Sequence, residues 1–307
     1  MASIGGQAVL EGVMMRGPSS WAVAVRRPDG RISEIEHDVD SVALHRRWLR
    51  LPVVRGIVAL GESLAIGMRA LSVSARFSVT DEGEEDASEE LSRFAIAGSF
   101  VFAIGFSLIL FKVSPALLTN WINPSNSFVF VLIEGGIRIG LLVAYLAIIG
   151  MFGELRRVFQ YHAAEHKAIN AYEAGAALEP ETVQRYSLIH VRCGTAFLLW
   201  VMVIAILVFT ALAEVVGHLW WPWLIVSRIV ALPLIAGLAY EVIRLAARYE
   251  RFRLVRAVLA PGLWLQRLTT REPTLDQVAV SISALERVLA AEKKNHSADE
   301  ARVEVMA

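Results

Sequence analysis

Four apolar runs, Phe94–Phe111, Phe128–Phe152, Thr195–Ala213 and Trp221–Ile243, restrict this chain more than any other feature in it. A helix needs about 20 predominantly apolar residues to cross a bilayer, and only the first run falls slightly short. Inside hydrocarbon a segment must satisfy its own backbone hydrogen bonds, which an unbroken run does as a helix. The whole chain agrees. Its 307 residues are 55% hydrophobic, with a mean hydropathy of +0.51, too apolar for an ordinary soluble domain. The expected fold class is mainly α: a polytopic membrane protein with about four transmembrane helices, a small N-terminal β unit and cytoplasmic helices.

The basic residues set the expected orientation, because Lys and Arg accumulate on the cytoplasmic side. The loop Lys112–Ser127 carries only Lys112, and Glu214–Trp220 carries no Lys or Arg. Residues 154–193 carry Arg156, Arg157, Lys167, Arg185 and Arg192, and the last run is followed by Arg244, Arg248, Arg251, Arg253 and Arg256. Arg46, Arg47 and Arg50 precede the first run. Both termini and the 154–193 insert are therefore expected in the cytoplasm. The opening MASIGGQAVLEG lacks the basic and apolar regions of a signal peptide. The balanced formal charge offers no argument for nucleic acid as a partner. The expected partner is the lipid bilayer, and a homo-oligomer stays open.

The remaining chain divides around the four runs. Residues 1–44 read as a cytoplasmic β unit: Trp21–Arg26, a Pro28-Asp29-Gly30 turn, and a strand from Arg31 onward, with Gln7–Leu10 as a third strand. Gly5, Gly6, Gly12 and Gly17 suggest tight turns or close backbone approach. Residues 45–93 hold a membrane-associated helix and an acidic linker, Asp81–Glu90. In Val53–Leu71, Arg55, Glu62 and Arg69 begin a seven-residue spacing that Arg76 continues. That stripe suits an amphipathic helix lying on the cytoplasmic face. The alternative is a helix partly inserted in the bundle, with Arg55 and Glu62 facing a polar cavity. Residues 94–260 form the transmembrane domain. Within 261–293, Leu263–Arg271 reads as a connector, and Thr274 caps a final helix from Leu275 to about Ala291. Residues 294–307 read as a disordered tail. Within the second run, Glu134 and Arg138 are four apart and expected to pair inside the bundle, with Arg228 as a neighbour. Gly135, Gly136 and Gly140 suit close helix packing.

The chemistry concentrates in His162-Ala163-Ala164-Glu165-His166, just past the second run. Residues four apart share a helix face, so the two imidazoles can bind one tetrahedral ion. Glu165 between them is placed to act as a base on water rather than as a ligand, in the order of the inverted zincins. The bland alternative is a polar helix whose histidines only hydrogen-bond. A zinc ion, or another divalent transition metal, needs a third donor. Glu173 lies two turns on, about 10 Å along a straight helix, too far from His162. Asn170 is a poor zinc ligand. His190 and Cys193 return to the same membrane face just before the third run, and both are apt donors; Glu11 is a further candidate. The competing view of His190–Cys193 is a plain turn ahead of a helix. Cys193 is the single cysteine, a free thiol in that compartment.

Four separated motifs carry a resemblance to a family. They are Gly5–Gly17 (GGQAVLEGVMMRG), Tyr161–Lys167 (YHAAEHK), His190–Thr195 (HVRCGT) and Pro261–Thr270 (PGLWLQRLTT). Together they resemble the YqhQ-like bacterial membrane proteins, domain of unknown function 1385. The chain has Val191 where members often have Pro, and Ala163 where many have Gly; neither change removes a candidate ligand. The resemblance implies a multi-pass protein of the bacterial cytoplasmic membrane, of a kind sometimes labelled a metal-dependent enzyme.

Two readings of function follow. In the first, the chain is a metal-dependent hydrolase at the cytoplasmic membrane face, with metal on His162, His166 and either His190 or Cys193, and Glu165 as the catalytic base. In the second it is a non-enzymatic transporter or an assembly scaffold. A third ligand beside the two histidines separates them.

Overall fold

Strands that are apolar at nearly every position need cover on both faces, and two such strands form the centre of the N-terminal sheet. The structure is a computed structural model. It describes residues 4–39, 41, 46–78, 93–122, 124, 127–216, 221–249 and 251–306. Strands β1 (Gly5–Val9), β2 (Gly12–Arg16), β3 (Ser20–Arg26) and β4 (Ile32–Asp38) form one antiparallel meander in sequence order. Gly6 pairs with Met15, Met14 with Val23, and Ala24 with Glu34. The expected hairpin is present: Gly30 donates to the Arg27 carbonyl at 2.9 Å and takes a φ of 87°. Strand β2 covers residues read from sequence only as turn glycines and their neighbours. Buried on both sides, it has none of the alternation that marks a half-exposed strand.

Ten helices follow among the described residues: α1 (Val54–Phe77), α2 (Arg93–Leu108), α3 (Ser114–Ile122), α4 (Ser127–Ile149), α5 (Gly153–Glu173), α6 (Pro180–Val183), α7 (Gly194–Val216), α8 (Trp221–Arg248), α9 (Arg253–Thr269) and α10 (Leu275–Met306). A 3-10 turn, Arg47–Arg50, precedes them. A π-helical turn, Ile109–Val113, joins α2 to α3. The alternating sides of β2 and β3 enter two cores. Val13, Met15, Ala22 and Ala24 pack with Tyr161, Ala164 and Ala168 of α5 and Leu285 and Val288 of α10. Met14, Trp21, Val23 and Val25 pack with Ile66 and Ala70 of α1. The segments at residues 4–26, 54–77, 153–183 and 275–291 thus build one sheet-and-helix unit, although the sequence divides them among separate stretches.

Five described stretches are long and apolar enough to cross a membrane: Val54–Phe77, Val101–Ile122, Phe128–Ile149, Gly194–Leu212 and Val230–Arg248. The last three correspond to the second, third and fourth apolar runs, whereas Val101–Ile122 overlaps the first run and continues as helix through residues 112–122, which were expected to form a loop. The outer surfaces of these four stretches carry exposed apolar side chains, such as Phe102, Leu207 and Val230 at 64–75% exposure, the pattern of helices that face a bilayer. Helix α7 packs against α4, α8 and α9. Leu142 and Leu146 meet Leu199 and Leu265 on one side, and Ile204 meets Ile235 and Ala239 on the other. Of the three glycines expected to allow close packing, Gly135 does so: a Cβ there would stand 2.4 Å from Ile206 Cδ1. Gly136 and Gly140 have open space beside them.

The polar pair in α4 forms as expected, since Arg138 bonds Glu134. Arg138 Nε also donates to the Phe111 carbonyl at 2.8 Å. Phe111 lies in the π-helical turn, and Pro115, four residues on, has no N–H to offer its carbonyl. The side chain of Arg228 lies outside the described residues.

Helix α1 is the fifth apolar stretch. Its first turns run beside α8, where Arg55 holds Glu241 with Nε at 2.7 Å from Oε1. Its later turns are covered by the sheet. Glu62 pairs with Arg16 at 2.8 Å, while Arg69 and Arg76 are exposed. Arg55 and Glu62 of the seven-residue stripe are therefore engaged with other elements rather than turned to water. The acidic linker 81–90 lies outside the described residues. Residues 263–269, read as connector, are the last turns of α9. Helix α10 continues beyond Ala291 into the stretch read as a tail, where Ala, Glu and Lys favour helix.

Candidate metal centre

Helix α5 presents the central motif. Phe152 ahead of it is extended, and Glu154 in its first turn complements the positive end of the helix dipole. Ala163, Ala164, Ala168 and Ala171 are wholly buried, and their small size lets β1 and α10 approach closely. His162 and His166 lie one turn apart with ring centroids 4.4 Å from each other.

Both rings are held by the backbone. His162 Nδ1 lies 2.8 Å from the Thr269 carbonyl, and His166 Nδ1 lies 2.6 Å from the Leu188 carbonyl. A carbonyl only accepts, so each Nδ1 carries the proton and each Nε2 keeps a lone pair. This is how metal-binding histidines are oriented by their outer partners. His162 Nε2 lies 3.2 Å from Cys193 Sγ. Donor atoms of His162, His166 and Cys193 all fall within 4.8 Å of one another. Around a tetrahedral ion with metal–nitrogen and metal–sulfur distances of about 2.0–2.3 Å, donors stand roughly 3.3–3.7 Å apart. The 3.2 Å between His162 Nε2 and Cys193 Sγ meets that spacing, while the 4.8 Å that bounds the three residues together exceeds it. Cys193 stands at the start of α7: its carbonyl accepts from Phe197 at 3.1 Å, and its sulfur accepts from the Thr195 N–H at 3.3 Å.

His190, the other expected donor, is held elsewhere. Its Nε2 lies 3.4 Å from Glu173 Oε2, and its ring centroid is 5.8 Å from that of His166. Gln266 fixes its backbone twice, accepting from His190 N at 3.0 Å and donating to its carbonyl at 2.8 Å. Glu173 also bonds Arg192. Asn170 donates to the Ser187 and Ile189 carbonyls at 3.0 and 3.1 Å, fixing the loop that offers the Leu188 carbonyl. Glu11 lies away from the three donors. At the β1–β2 turn, with a φ of 51°, it is bound by Arg157 and by the Tyr161 hydroxyl at 3.3 Å.

Glu165 is 5% exposed, and the Gly6 N–H donates to its carboxylate. Burial pushes its pKa up to about 7, against the opposing pull of His162 and that N–H. Burial also pushes His190 down to about 4, helped by Arg192 and His166 and opposed by Glu173. Burial raises the Tyr161 hydroxyl well above its usual range. Lys167 is buried and bonds the Gln184 carbonyl and, at 2.9 Å, Glu272.

Gly6, Gln266 and the Leu188 and Thr269 carbonyls were not assigned roles from sequence. The motifs containing Gly6 and Gln266 marked their neighbourhoods. A carbonyl that orients an imidazole leaves no trace in residue identity, because every residue has one.

A helical bundle of membrane-spanning length, joined to a sheet-and-helix unit that holds a His-His-Cys cluster, defines a polytopic protein with one candidate metal centre among the described residues. The family described as "Protein of unknown function (DUF1385)" matches residues 51–291. The chain is 34% identical over 295 residues to "Uncharacterized protein YqhQ" of Bacillus subtilis (strain 168), covering 93% of this chain and 92% of that protein. The chain belongs to this family. No solved structure matches it.

Proposed function

We propose that the chain is a metal-dependent hydrolase of the bacterial cytoplasmic membrane, with its centre at the cytoplasmic face and both termini on that side. One observation carries this reading. Ligand atoms of His162, His166 and Cys193 lie within 4.8 Å of one another, and both Nδ1 atoms are committed to backbone carbonyls. Zinc is the ion that this donor set suits best. When bound, it would supply Lewis acidity and a water of lowered pKa.

The chain's own residues do the rest. The Thr269 and Leu188 carbonyls hold the imidazoles in one tautomer. Glu165 is the proton acceptor, kept close to neutral pH by its burial and oriented by Gly6. A general base is most effective when its pKa lies near the working pH, and a value of about 7 meets that. A second reading, a metal-clipped membrane scaffold without catalysis, is favoured by one fact: Cys193 opens the spanning helix α7, so a bound ion would fasten α5 to the bundle.

Metal analysis of the purified full-length protein tests both. Wild type is expected to carry about one zinc per chain. His162→Ala, His166→Ala and Cys193→Ala should each lose it, while His190→Ala should retain it. Glu165→Gln should keep the metal and lose hydrolysis. Metal-free wild type overturns both readings, and metal loss in Glu165→Gln overturns the role of base.

A further inference from the structure

We propose that the candidate centre opens on a binding cavity for a phosphate-bearing anionic amphiphile, with its head group among arginines and its chain along the apolar wall. This rests on the proposed function only for the ligand's fate as substrate; the binding assignment stands on the cavity itself.

The cavity, of about 960 Å³, lies between β1 and β2, α1, the start of α7 and the end of α8. Cys193 and Gly6 form part of its wall, so it reaches one candidate metal ligand and the residue that orients Glu165. Arg16, Arg55, Arg192, Arg244 and Arg248 line it. Arg16 is bound to Glu62, Arg55 to Glu241, and Arg192 to Glu173. Arg244 lies in the field of Glu241, which is already bound to Arg55, and Arg248 lies over the Tyr249 ring at 6.0 Å. Five arginines against one carboxylate in the lining leave a positive excess, with Arg244 and Arg248 one helical turn apart. Guanidinium groups bind phosphate through paired N–H donors, and two at this spacing can share one phosphate.

The rest of the wall is apolar, including Leu60, Phe197, Ile243 and Leu245. Position matters as much as lining. Arg244 and Arg248 end a stretch, Val230–Arg248, that is long and apolar enough to cross a membrane, so in a bilayer they would stand near the lipid head groups. A soluble phosphate would need the arginines but not the apolar wall. Arginines that merely ended a spanning helix would need no cavity. A ligand with one anionic phosphate and an acyl chain uses both surfaces.

The test measures binding to the purified full-length protein in uncharged detergent. Three probes separate the sources of the chemistry: short-chain phosphatidic acid, glycerol 3-phosphate and short-chain phosphatidylcholine. Phosphatidic acid should bind saturably. The double variant Arg244→Gln/Arg248→Gln should weaken it at least tenfold, since removing each charge-assisted hydrogen bond costs about tenfold, with metal content unchanged. Leu60→Asn should also weaken it while sparing the arginines. Equal binding of phosphatidylcholine, or no effect of the arginine variant, overturns the site. Equal affinity for glycerol 3-phosphate overturns the acyl-chain assignment. Arginine-dependent lipid binding by a wild type that carries no metal removes the hydrolase and leaves this site standing. Metal without lipid binding does the reverse.

Discussion

Gly6 and Glu165 are in direct contact across the β1–α5 boundary: a Cβ added at Gly6 would stand 2.7 Å from Glu165 Cγ and 2.8 Å from its Oε1. Strand β1 cannot retreat, because Gly6 is paired with Met15. Gly6→Ala should therefore push the carboxyl aside. Overpacking of this kind costs about 1–3 kcal/mol. Denaturant titration should show the loss, and metal analysis should show the ion retained, since Gly6 touches none of the three donors. An unchanged midpoint would mean that Glu165 moves freely, which contradicts its role as an oriented base.

The raised pKa of Glu165 makes a pH prediction for protein stripped of metal by a chelator. The buried carboxyl holds its proton more tightly folded than unfolded. Its stability contribution is fully present below about pH 4.5 and is lost as pH rises through about 7. Glu165→Gln has no proton to lose. The stability of wild type relative to that variant should fall between these limits, by roughly 3 kcal/mol in all. A difference that stays constant with pH would show that Glu165 is ionised throughout.

Inside the bundle, Arg138 serves Glu134 and the carbonyl that Pro115 leaves open at Phe111. Arg138→Ala should cost about 3–5 kcal/mol, because it breaks a buried ion pair. Glu134→Leu/Arg138→Met should recover most of this, since both charges are then removed. Unfolding in mixed micelles measures both. A double variant as unstable as the single one would show that the carbonyl bond, and not the charge, dominates.

Orientation can be read with fusions to a reporter that works only in the cytoplasm. A fusion after Asn120, at the end of α3, should be silent, and one after Gly175, just past α5, should be active. The reverse pattern places the histidine cluster on the outside and ends the proposal of a cytoplasmic centre.

Much of this architecture follows from local pattern. The four apolar runs appear in helices: the first in α2 and the π-helical turn after it, the others in the helices that end in Ile149, Val216 and Arg248. The spacing of His162 and His166 brings the two rings together in any α-helix. The hairpin around Gly30 follows from a turn that requires positive φ. These features need only the chain's nearest neighbours to form.

The rest required the third dimension. Cys193 rather than His190 meets the histidines because Gln266 grips the His190 backbone while the chain turns into α7. That grip comes from a helix distant in sequence. Strand β2 lacked a periodic signal because two separate cores cover its two faces. Arg55 and Glu62 looked like a wet stripe, but their partners Glu241 and Arg16 belong to other elements. The sequence by itself determined the spanning helices and the i, i+4 histidine pair, because hydropathy and helical repeat act over a few turns. Only the tertiary structure decided which side chain stands beside the histidine pair, the partners of the two rings and the cavity beside them, because each depends on groups brought together from separate segments.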